Sequence, residues 1–252
     1  MIRRRAGDGP LILWVHGYTL DGSIWEPIWD CLPDFGHVAI DLPGHGAAAR
    51  PPGHGMLAAG TAAIIAVARD TGARRLAAMS FGGAIALEVL ARRPELFDAA
   101  LLAAPGVLGG AVDPASADCH LELLSLARSQ GLGPWLASRW LAAPPDIFSG
   151  LRARPERFDP IADVVRRHRF EELIDGASED MFRLRPQLGG LSDSLRLTLL
   201  LGENDMPAFK RCAELVRRAL PGARRAWLGD VGHQPLLEAP RESSEVVRAA
   251  LS

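Results

Sequence analysis

The sequence has very little lysine and cysteine. Lys210 is the only lysine among 28 basic residues, an imbalance that we attribute to codon usage rather than to function. The three cysteines, Cys31, Cys119 and Cys212, are widely spaced and form no CxxC pair. This pattern excludes a disulfide framework and a CxxC redox motif, and it is typical of a reduced protein. We therefore expect a cytoplasmic location.

Long apolar runs and a strong net charge are also absent. No stretch reaches the roughly 18 apolar residues that predict a membrane-spanning helix. Residues 3–5 are arginines, a basic start like that of a signal peptide, but the apolar segment 11–15 is too short for the core of a secretion signal. With 28 basic and 30 acidic residues, the net charge is −2, which argues against nucleic acid or a membrane as partner. We expect a monomer or homodimer that acts on a small molecule.

What is present is an ordinary globular composition. The chain has 252 residues, of which 48% are hydrophobic and 23% charged. These fractions exclude disorder, collagen-like repeats and coiled coil as the main structure. A chain of this length forms one large domain, or one domain with an insertion.

Short apolar runs alternate with segments that have helical spacing, a pattern that predicts an α/β fold with a mostly parallel sheet. The predicted strands are 11–15, 37–40, 74–79, 99–103, 195–201 and 224–228. The predicted helices of this part are 24–31, 61–70, 81–92 and 240–251.

Between about residues 107 and 186 the alternation stops. Four helical segments follow one another without a strand: 121–127, 135–141, 161–169 and 171–183. We interpret 107–186 as a helical cap or lid, inserted into a core formed by 1–106 and 187–252. The alternative is an ordinary second layer of helices.

The sequence around Ser80, Ala77-Ala78-Met79-Ser80-Phe81-Gly82-Gly83, lies between a predicted strand and a predicted helix. A sharp strand-to-helix turn exposes a serine hydroxyl, and small residues two positions before and after let the backbones pass closely. The usual pattern is G-x-S-x-G, so Ala78 is a departure that tightens the turn. Ser80 is therefore the candidate nucleophile.

A serine nucleophile needs a general base and an acid that orients it. His233 follows the last predicted strand and is the candidate base. Asp205 follows the strand 195–201 and is the candidate acid, with Glu203 and Asp230 as alternatives. The amides of Tyr18, after the first buried strand, and of Phe81, after the nucleophile, are the candidate oxyanion hole.

Five strings of the sequence together resemble the α/β-hydrolase superfamily over residues 11–240. They are His16-Gly17-Tyr18, Asp41-Leu42-Pro43-Gly44-His45-Gly46, the segment around Ser80, Gly202-Glu203-Asn204-Asp205 and Gly232-His233-Gln234-Pro235 with Glu238 and Pro240. The resemblance implies a twisted, mostly parallel sheet and a structural role for His45. Many relatives have a β-hairpin before the strand that leads to His-Gly, but only ten residues precede Leu11 here. At most one short strand fits there, so we expect a sheet trimmed to about six or seven strands. We expect His16 to hydrogen-bond its loop rather than to react.

Serine at position 80 disfavours the dehalogenase and epoxide-hydrolase branches, which resemble this fold but carry aspartate there. We expect a serine hydrolase that cleaves an ester, thioester or lactone without a metal or other cofactor. A carbon–carbon bond hydrolase, or a lyase resembling the menaquinone-pathway synthase, would use the same triad. A small-molecule receptor on the hydrolase fold is the alternative from another class.

The sequence gives only candidates for the residues that line the substrate pocket. Met79, next to the nucleophile, and Trp135 and Trp140 in the cap are candidate substrate-binding residues. The cap aromatics Trp135, Trp140, Phe148 and Phe182 form either an apolar pocket wall or the core of the cap itself. Its arginines, which could bind a carboxylated substrate but equally suit a solvated surface, are Arg128, Arg139, Arg152, Arg166, Arg167 and Arg169.

Overall fold

The computed structural model describes residues 2–50, 55–174 and 188–252. Seven strands form one sheet in the order β1-β3-β2-β4-β5-β6-β7, in which β1 is antiparallel to β3 and all other neighbours are parallel. The strands are β1 (Ile2–Arg5), β2 (Leu11–Val15), β3 (Gly36–Ile40), β4 (Arg75–Met79), β5 (Ala99–Ala103), β6 (Arg196–Gly202) and β7 (Arg224–Leu228).

Helices connect and cover these strands. The α-helices are α1 (Glu26–Trp29), α2 (Met56–Thr71), α3 (Ser80–Arg92), α4 (Pro114–Gln130), α5 (Pro134–Leu141), α6 (Ser149–Arg152), α7 (Pro155–Arg166), α8 (Pro207–Ala219), α9 (Pro235–Glu238) and α10 (Pro240–Leu251). Short 3₁₀ segments are Gly22–Trp25, Asp146–Phe148, Glu171–Leu173 and Leu188–Gly190. None of the helices in the described ranges is long and apolar enough to cross a membrane.

The central strands form the core because helices cover both faces of the sheet. Every residue of β3 and β5 is buried, and only the first residue of β2 and β4 is partly exposed. A parallel sheet covered in this way has continuous apolar strands rather than alternating ones. The edge strands β1 and β7, in contrast, have no fully buried residue.

The predicted mostly parallel α/β sheet is confirmed, including the single short strand expected before Leu11. Helix α8 is missing from the sequence prediction. Its signal is present, because Pro207 begins the helix and the buried residues Ala208, Cys212 and Val216 recur every four positions. Most of the predicted helix 171–183 lies outside the described residues.

The helices α4–α7 follow β5 in the chain and pack on one another, with α5 contacting both α4 and α7. The described residues between β5 and position 174 contain no strand. The division into a core and a cap stays a prediction, and its second boundary, at 186, lies outside the described residues.

The glycine at position 82 lets α3 approach the end of β2. A Cβ atom there would lie 2.2 Å from the carbonyl oxygen of His16 and 2.9 Å from that of Val15. Both distances are far below van der Waals contact, and both neighbours are backbone atoms. The junction of β4 and α3 therefore depends on glycine at this position.

We predict that Gly82→Ala lowers the free energy of unfolding by about 1–3 kcal/mol, the usual cost of overpacking. The control is Gly222→Ala, because a Cβ at Gly222 would meet no atom within 4 Å. Urea unfolding of both variants tests this. Equal stability of the two variants would contradict the close-approach argument.

Candidate active site

Ser80 is the first residue of α3 and follows β4 directly. Its φ of 53° lies in the left-handed region, which is strained for a residue with a Cβ and persists only where the surroundings hold it. Met79 before it is still extended, with φ −131° and ψ 140°. Ala78 is fully buried, so its methyl group fits at the position where G-x-S-x-G has glycine. The chain therefore turns sharply at Ser80.

Ser80, His233 and Asp205 form one chain of hydrogen bonds. Ser80 Oγ lies 2.9 Å from His233 Nε2, and His233 Nδ1 lies 2.9 Å from Asp205 Oδ1. Asp205 Oδ1 also accepts a 2.7 Å bond from the amide of Met206. Since the carboxylate only accepts, Nδ1 of His233 carries the proton and Nε2 is left to accept from the serine hydroxyl. The imidazole and the carboxylate are almost completely buried.

The alternative acids do not reach the imidazole. Glu203 and Asp230 are both exposed. The carbonyl of Asp230 accepts a 2.8 Å hydrogen bond from Arg154 instead. Of the three acids considered, the structure brings Asp205 to His233.

The loop that carries His233 is fixed by the fully buried carboxylate of Glu238. One oxygen of Glu238 accepts from the amide of Gly232 at 2.6 Å, and the other accepts from the amide of Gln234 at 2.9 Å. Two charge-assisted bonds thus flank the histidine on both sides. Glu238 belongs to the motif around His233 in the sequence, but the motif does not predict this role. Phe209, on the unpredicted helix α8, packs on the His233 ring at 4.0 Å between centroids.

The segments that carry the predicted oxyanion donors lie beside Ser80. A Cβ built on Gly17 would be 3.4 Å from Ser80 Cβ, so the backbone leading to Tyr18 runs next to the serine. Phe81 is the second residue of α3, and its amide is one of the first-turn donors that have no carbonyl partner within a helix. The rings of Tyr18 and Phe81 are edge to face at 6.2 Å.

His16 is fully buried and stabilises the loop structure at this end of the sheet. Its Nε2 accepts a 2.9 Å bond from the amide of Leu42, so Nδ1 carries the proton and donates to the carbonyl of Gly17 at 2.8 Å. Burial lowers the pKa of His16 from 6.5 to about 4. His45 is also buried and contacts its own turn, with Nδ1 3.3 Å from the carbonyl of Pro43. Neither histidine takes part in the hydrogen bonds that join Ser80, His233 and Asp205.

The pKa of His16 predicts an acid-sensitive stability. The unfolded chain has the ordinary value of about 6.5, so between pH 6.5 and about 4 it binds one more proton than the folded state. The stability that neutral His16 contributes is therefore complete above pH 6.5. It is lost as the pH falls toward 4, by about 3 kcal/mol over the whole interval.

We expect His16→Gln, which removes this titrating group, to reduce the pH dependence of the free energy of unfolding. The slope between pH 5 and 6.5 should fall by close to one proton, about 1.4 kcal/mol per pH unit. Urea titrations at four pH values measure it. The slope is the readout, because the substitution also changes hydrogen bonds and hence stability at every pH. An unchanged slope would refute the assignment to His16.

A pocket of about 160 Å³ opens above Ser80. Most of its wall is apolar. Its side chains with polar atoms are those of Ser80, Gln234, Tyr18 and Trp140, together with Asp113, Ser116 and His120 at the start of α4. The lining residues are Gly17, Tyr18, Leu20, Met79, Ser80, Phe81, Ala84, Gly106, Val107, Leu108, Gly109, Ala111, Val112, Asp113, Ser116, His120, Trp140, Ile147, Phe209 and Gln234. No arginine or lysine is among these residues, and the one charged group is the carboxylate of Asp113.

The structure brings Met79 and Trp140, but not Trp135, to this pocket. The Trp135 ring lies over Gly133, where a Cβ would meet it at 2.2 Å. Phe148 packs behind Trp140 with 6.4 Å between ring centroids, and Phe182 lies outside the described residues. The two tryptophans are five positions apart on α5, so they lie on different faces of the helix.

The six cap arginines do not line the pocket either. Several of them pair with acidic side chains or carbonyls elsewhere: Arg139 with Glu122, Arg152 with the carbonyl of Leu141, Arg166 with Asp163, Arg167 with Asp21 and Arg169 with Glu171. Most of these pairs are at the surface. The described structure therefore offers no cap arginine to a carboxylated substrate.

Comparison with known proteins gives the family. The model of the alpha/beta hydrolase family matches residues 12–246. The chain belongs to the alpha/beta hydrolase family. Among curated members, it is 28% identical over 244 residues to a pimeloyl-[acyl-carrier protein] methyl ester esterase of Stenotrophomonas maltophilia, covering 92% of this chain and 88% of that protein.

Two further proteins are similar to this chain, and their names denote different activities. A 2-succinyl-6-hydroxy-2,4-cyclohexadiene-1-carboxylate synthase of Citrobacter koseri is 27% identical over 220 residues, covering 82% of this chain and 76% of that protein. A solved carboxylesterase structure from Nitrososphaera gargenis superposes with a TM-score of 0.81 at 18% identity, covering 99% of this chain and 92% of that chain. At that identity the likeness concerns the fold alone.

Proposed function

We propose that this protein is a serine hydrolase that cleaves a carboxylic ester, thioester or lactone of a small, uncharged substrate. The observation that carries the proposal is the chain of two 2.9 Å contacts from Ser80 through His233 to Asp205, at the base of an apolar pocket. This order of groups is that of a nucleophile, a base and the carboxylate that orients the base.

In the proposed mechanism Ser80 Oγ attacks the substrate carbonyl carbon while Nε2 of His233 takes the hydroxyl proton. Asp205 stabilises the imidazolium, and the amides of Tyr18 and Phe81 hold the oxyanion. The imidazolium then protonates the leaving group as the acyl-enzyme forms. Water, deprotonated by the same histidine, attacks the acyl-enzyme carbonyl. As the bond to Ser80 Oγ breaks, the imidazolium returns its proton to that oxygen, which releases the acid and free Ser80.

Substrate preference follows from the charge of the pocket. A carboxylate that leaves water needs a cationic or multiple hydrogen-bonding partner. The described lining offers neither arginine nor lysine, and Asp113 would repel an anion. The relative that is a pimeloyl-[acyl-carrier protein] methyl ester esterase supports an ester as the substrate. The relative that is a carboxylate synthase supports the lyase alternative, which this lining disfavours.

A small-molecule receptor on the same fold is disfavoured by the aligned side chains. Ligand binding alone requires neither a serine held in a strained conformation nor a buried carboxylate behind the histidine. Reaction of Ser80 with a fluorophosphonate distinguishes a reactive nucleophile from an inert hydroxyl.

We predict that Ser80→Ala lowers kcat/KM by at least a thousandfold, because removing a triad nucleophile usually costs several powers of ten. The substrates are p-nitrophenyl esters, acyl thioesters, lactones and β-diketones. Wild type should hydrolyse at least one of the first three classes and become labelled by a fluorophosphonate. Ser138→Ala, at an exposed position of α5, is the matched control and should behave as wild type.

Full turnover by the Ser80→Ala variant would overturn the nucleophile assignment. Cleavage of β-diketones alone would favour the carbon–carbon hydrolase. A fluorophosphonate-labelled wild type that hydrolyses none of the four classes would favour the lyase, and an unlabelled, inactive wild type would favour the receptor.

The charge of the pocket is tested with matched acyl groups. We expect kcat/KM for p-nitrophenyl butyrate to exceed that for p-nitrophenyl hemisuccinate at least tenfold at pH 7.5. The methyl ester of the hemisuccinate is the neutral size control and should be hydrolysed better than the acid. Asp113 caps α4 by accepting a 2.9 Å hydrogen bond from the amide of Ser116. Asp113→Asn, which can still cap the helix, should narrow the difference. A preference for the hemisuccinate would overturn the uncharged substrate class.

A further inference from the structure

A buried carboxylate lies against the loop that carries the proposed oxyanion donor. Glu172, in the 3₁₀ segment Glu171–Leu173, is only 2% exposed. Its Oε1 accepts a 2.5 Å hydrogen bond from the hydroxyl of Tyr18 and lies 3.1 Å from Nε2 of His168. The mechanism above does not use this carboxylate. A buried carboxylate is costly unless donors compensate it, so the contact with Tyr18 is an energetically strong constraint.

The protons of this cluster have a definite arrangement. Burial acts to raise the pKa of Glu172, but the bond and charge of His168, with the hydroxyl of Tyr18, bring it below its usual value. Burial and the nearby carboxylate raise the pKa of Tyr18. Tyr18 is therefore the donor and Glu172 the ionised acceptor, which is the stronger form of this bond.

Tyr18 connects this carboxylate with the pocket. Its ring lines the pocket and is edge to face with Trp140 at 5.3 Å between centroids. Its backbone follows Gly17, which runs beside Ser80. One residue thus has its amide at the proposed oxyanion position and its hydroxyl on Glu172.

The loop around Tyr18 needs such an anchor. The next residue, Thr19, has a φ of 63°, in the left-handed region that a β-branched residue rarely adopts. Such strain persists only where several contacts hold the backbone. Thr19 Oγ1 donates to the carbonyl of Tyr18 at 2.6 Å, and the amide of Leu20 bonds to the carbonyl of Gly17 at 3.3 Å. These bonds are internal to the loop, whereas Glu172 holds it from a distant part of the chain.

We infer that Glu172 is a positioning residue, which holds the backbone amide of Tyr18 at the oxyanion position through the tyrosine hydroxyl. His168 orients the carboxylate for that bond. The inference rests on the proposed function, because an oxyanion forms only if Ser80 attacks a carbonyl. It predicts that loss of the hydrogen bond between Tyr18 and Glu172 weakens stabilisation of the transition state more than substrate binding.

The variants are Tyr18→Phe, which removes only the hydroxyl, Glu172→Leu, which removes the acceptor, and Glu172→Gln, which keeps an acceptor oxygen. We expect the first two to lower kcat about tenfold while KM changes less than twofold. Glu172→Gln should retain most of the wild-type kcat. The double variant Tyr18→Phe/Glu172→Leu should be no slower than Tyr18→Phe, since both changes break one contact.

The decisive readout is the affinity for a trifluoromethyl ketone. Ser80 Oγ adds to its carbonyl carbon, the π electrons move to oxygen, and the hydroxyl proton passes to His233, so the adduct carries the oxyanion itself. The inhibition constant should rise by the same factor by which kcat falls. A loss of packing alone would lower the unfolding midpoint without this proportionality.

Glu171→Gln is the matched control, because the adjacent Glu171 is half-exposed and pairs with Arg169. It should match wild type in kcat and inhibition. Unchanged kcat in Tyr18→Phe, a change in KM alone, or equal loss in Glu172→Gln and Glu172→Leu would overturn the inference. If Glu172→Leu does not fold, Tyr18→Phe decides alone. A wild type that neither turns over an ester nor reacts with a fluorophosphonate overturns the proposed function and this inference with it.

Discussion

The rest of the site depends on the sharp turn at Ser80, where β4 passes into α3 with a left-handed serine backbone. Buried residues on both sides of Ser80 keep the backbone in this strained conformation. Ala78 before it is fully buried, and α3 after it reaches the end of β2 only because Gly82 has no side chain. The same close approach sets the loop after β2 beside the serine. One feature of the fold therefore places both the proposed nucleophile and the proposed oxyanion donors.

The parallel arrangement of the sheet brings the remaining groups to the same end. Asp205 follows β6 and His233 follows β7, and these adjacent strands run in the same direction. Backbone bonds between the two loops, from Glu203 to Leu228 and from Asn204 to Val231, hold them together. Buried carboxylates complete the framework: Glu238 fixes the histidine loop and Glu172 contacts Tyr18. Each carboxylate accepts two hydrogen bonds, which compensates its burial.

The polar loops and the apolar pocket have different roles in the proposed function: the loops serve catalysis, and the pocket serves substrate selection. In the proposed mechanism, the loops supply fixed donors and a base, whose orientation determines the rate of acyl transfer. The proposed selection of substrates is mainly by exclusion of anions, because the described pocket wall has one carboxylate and no arginine or lysine. The protein of 27.0 kDa is near neutral as a whole. Its pocket nevertheless carries a negative charge, which the overall composition does not reveal.

Local sequence determined the strands. The run 99–103 is entirely apolar and matches the observed bounds, and the predicted strand 224–228 also matches although it begins with two arginines. Local sequence also gave the candidate residues Ser80, Asp205 and His233 in this chain order, because each of them follows a predicted strand. Tertiary structure alone decided which face of α5 meets the pocket, hence Trp140 rather than Trp135. It alone gave Glu172 its partner Tyr18. That contact joins residues 154 positions apart, and a spacing pattern carries no information about packing at that range.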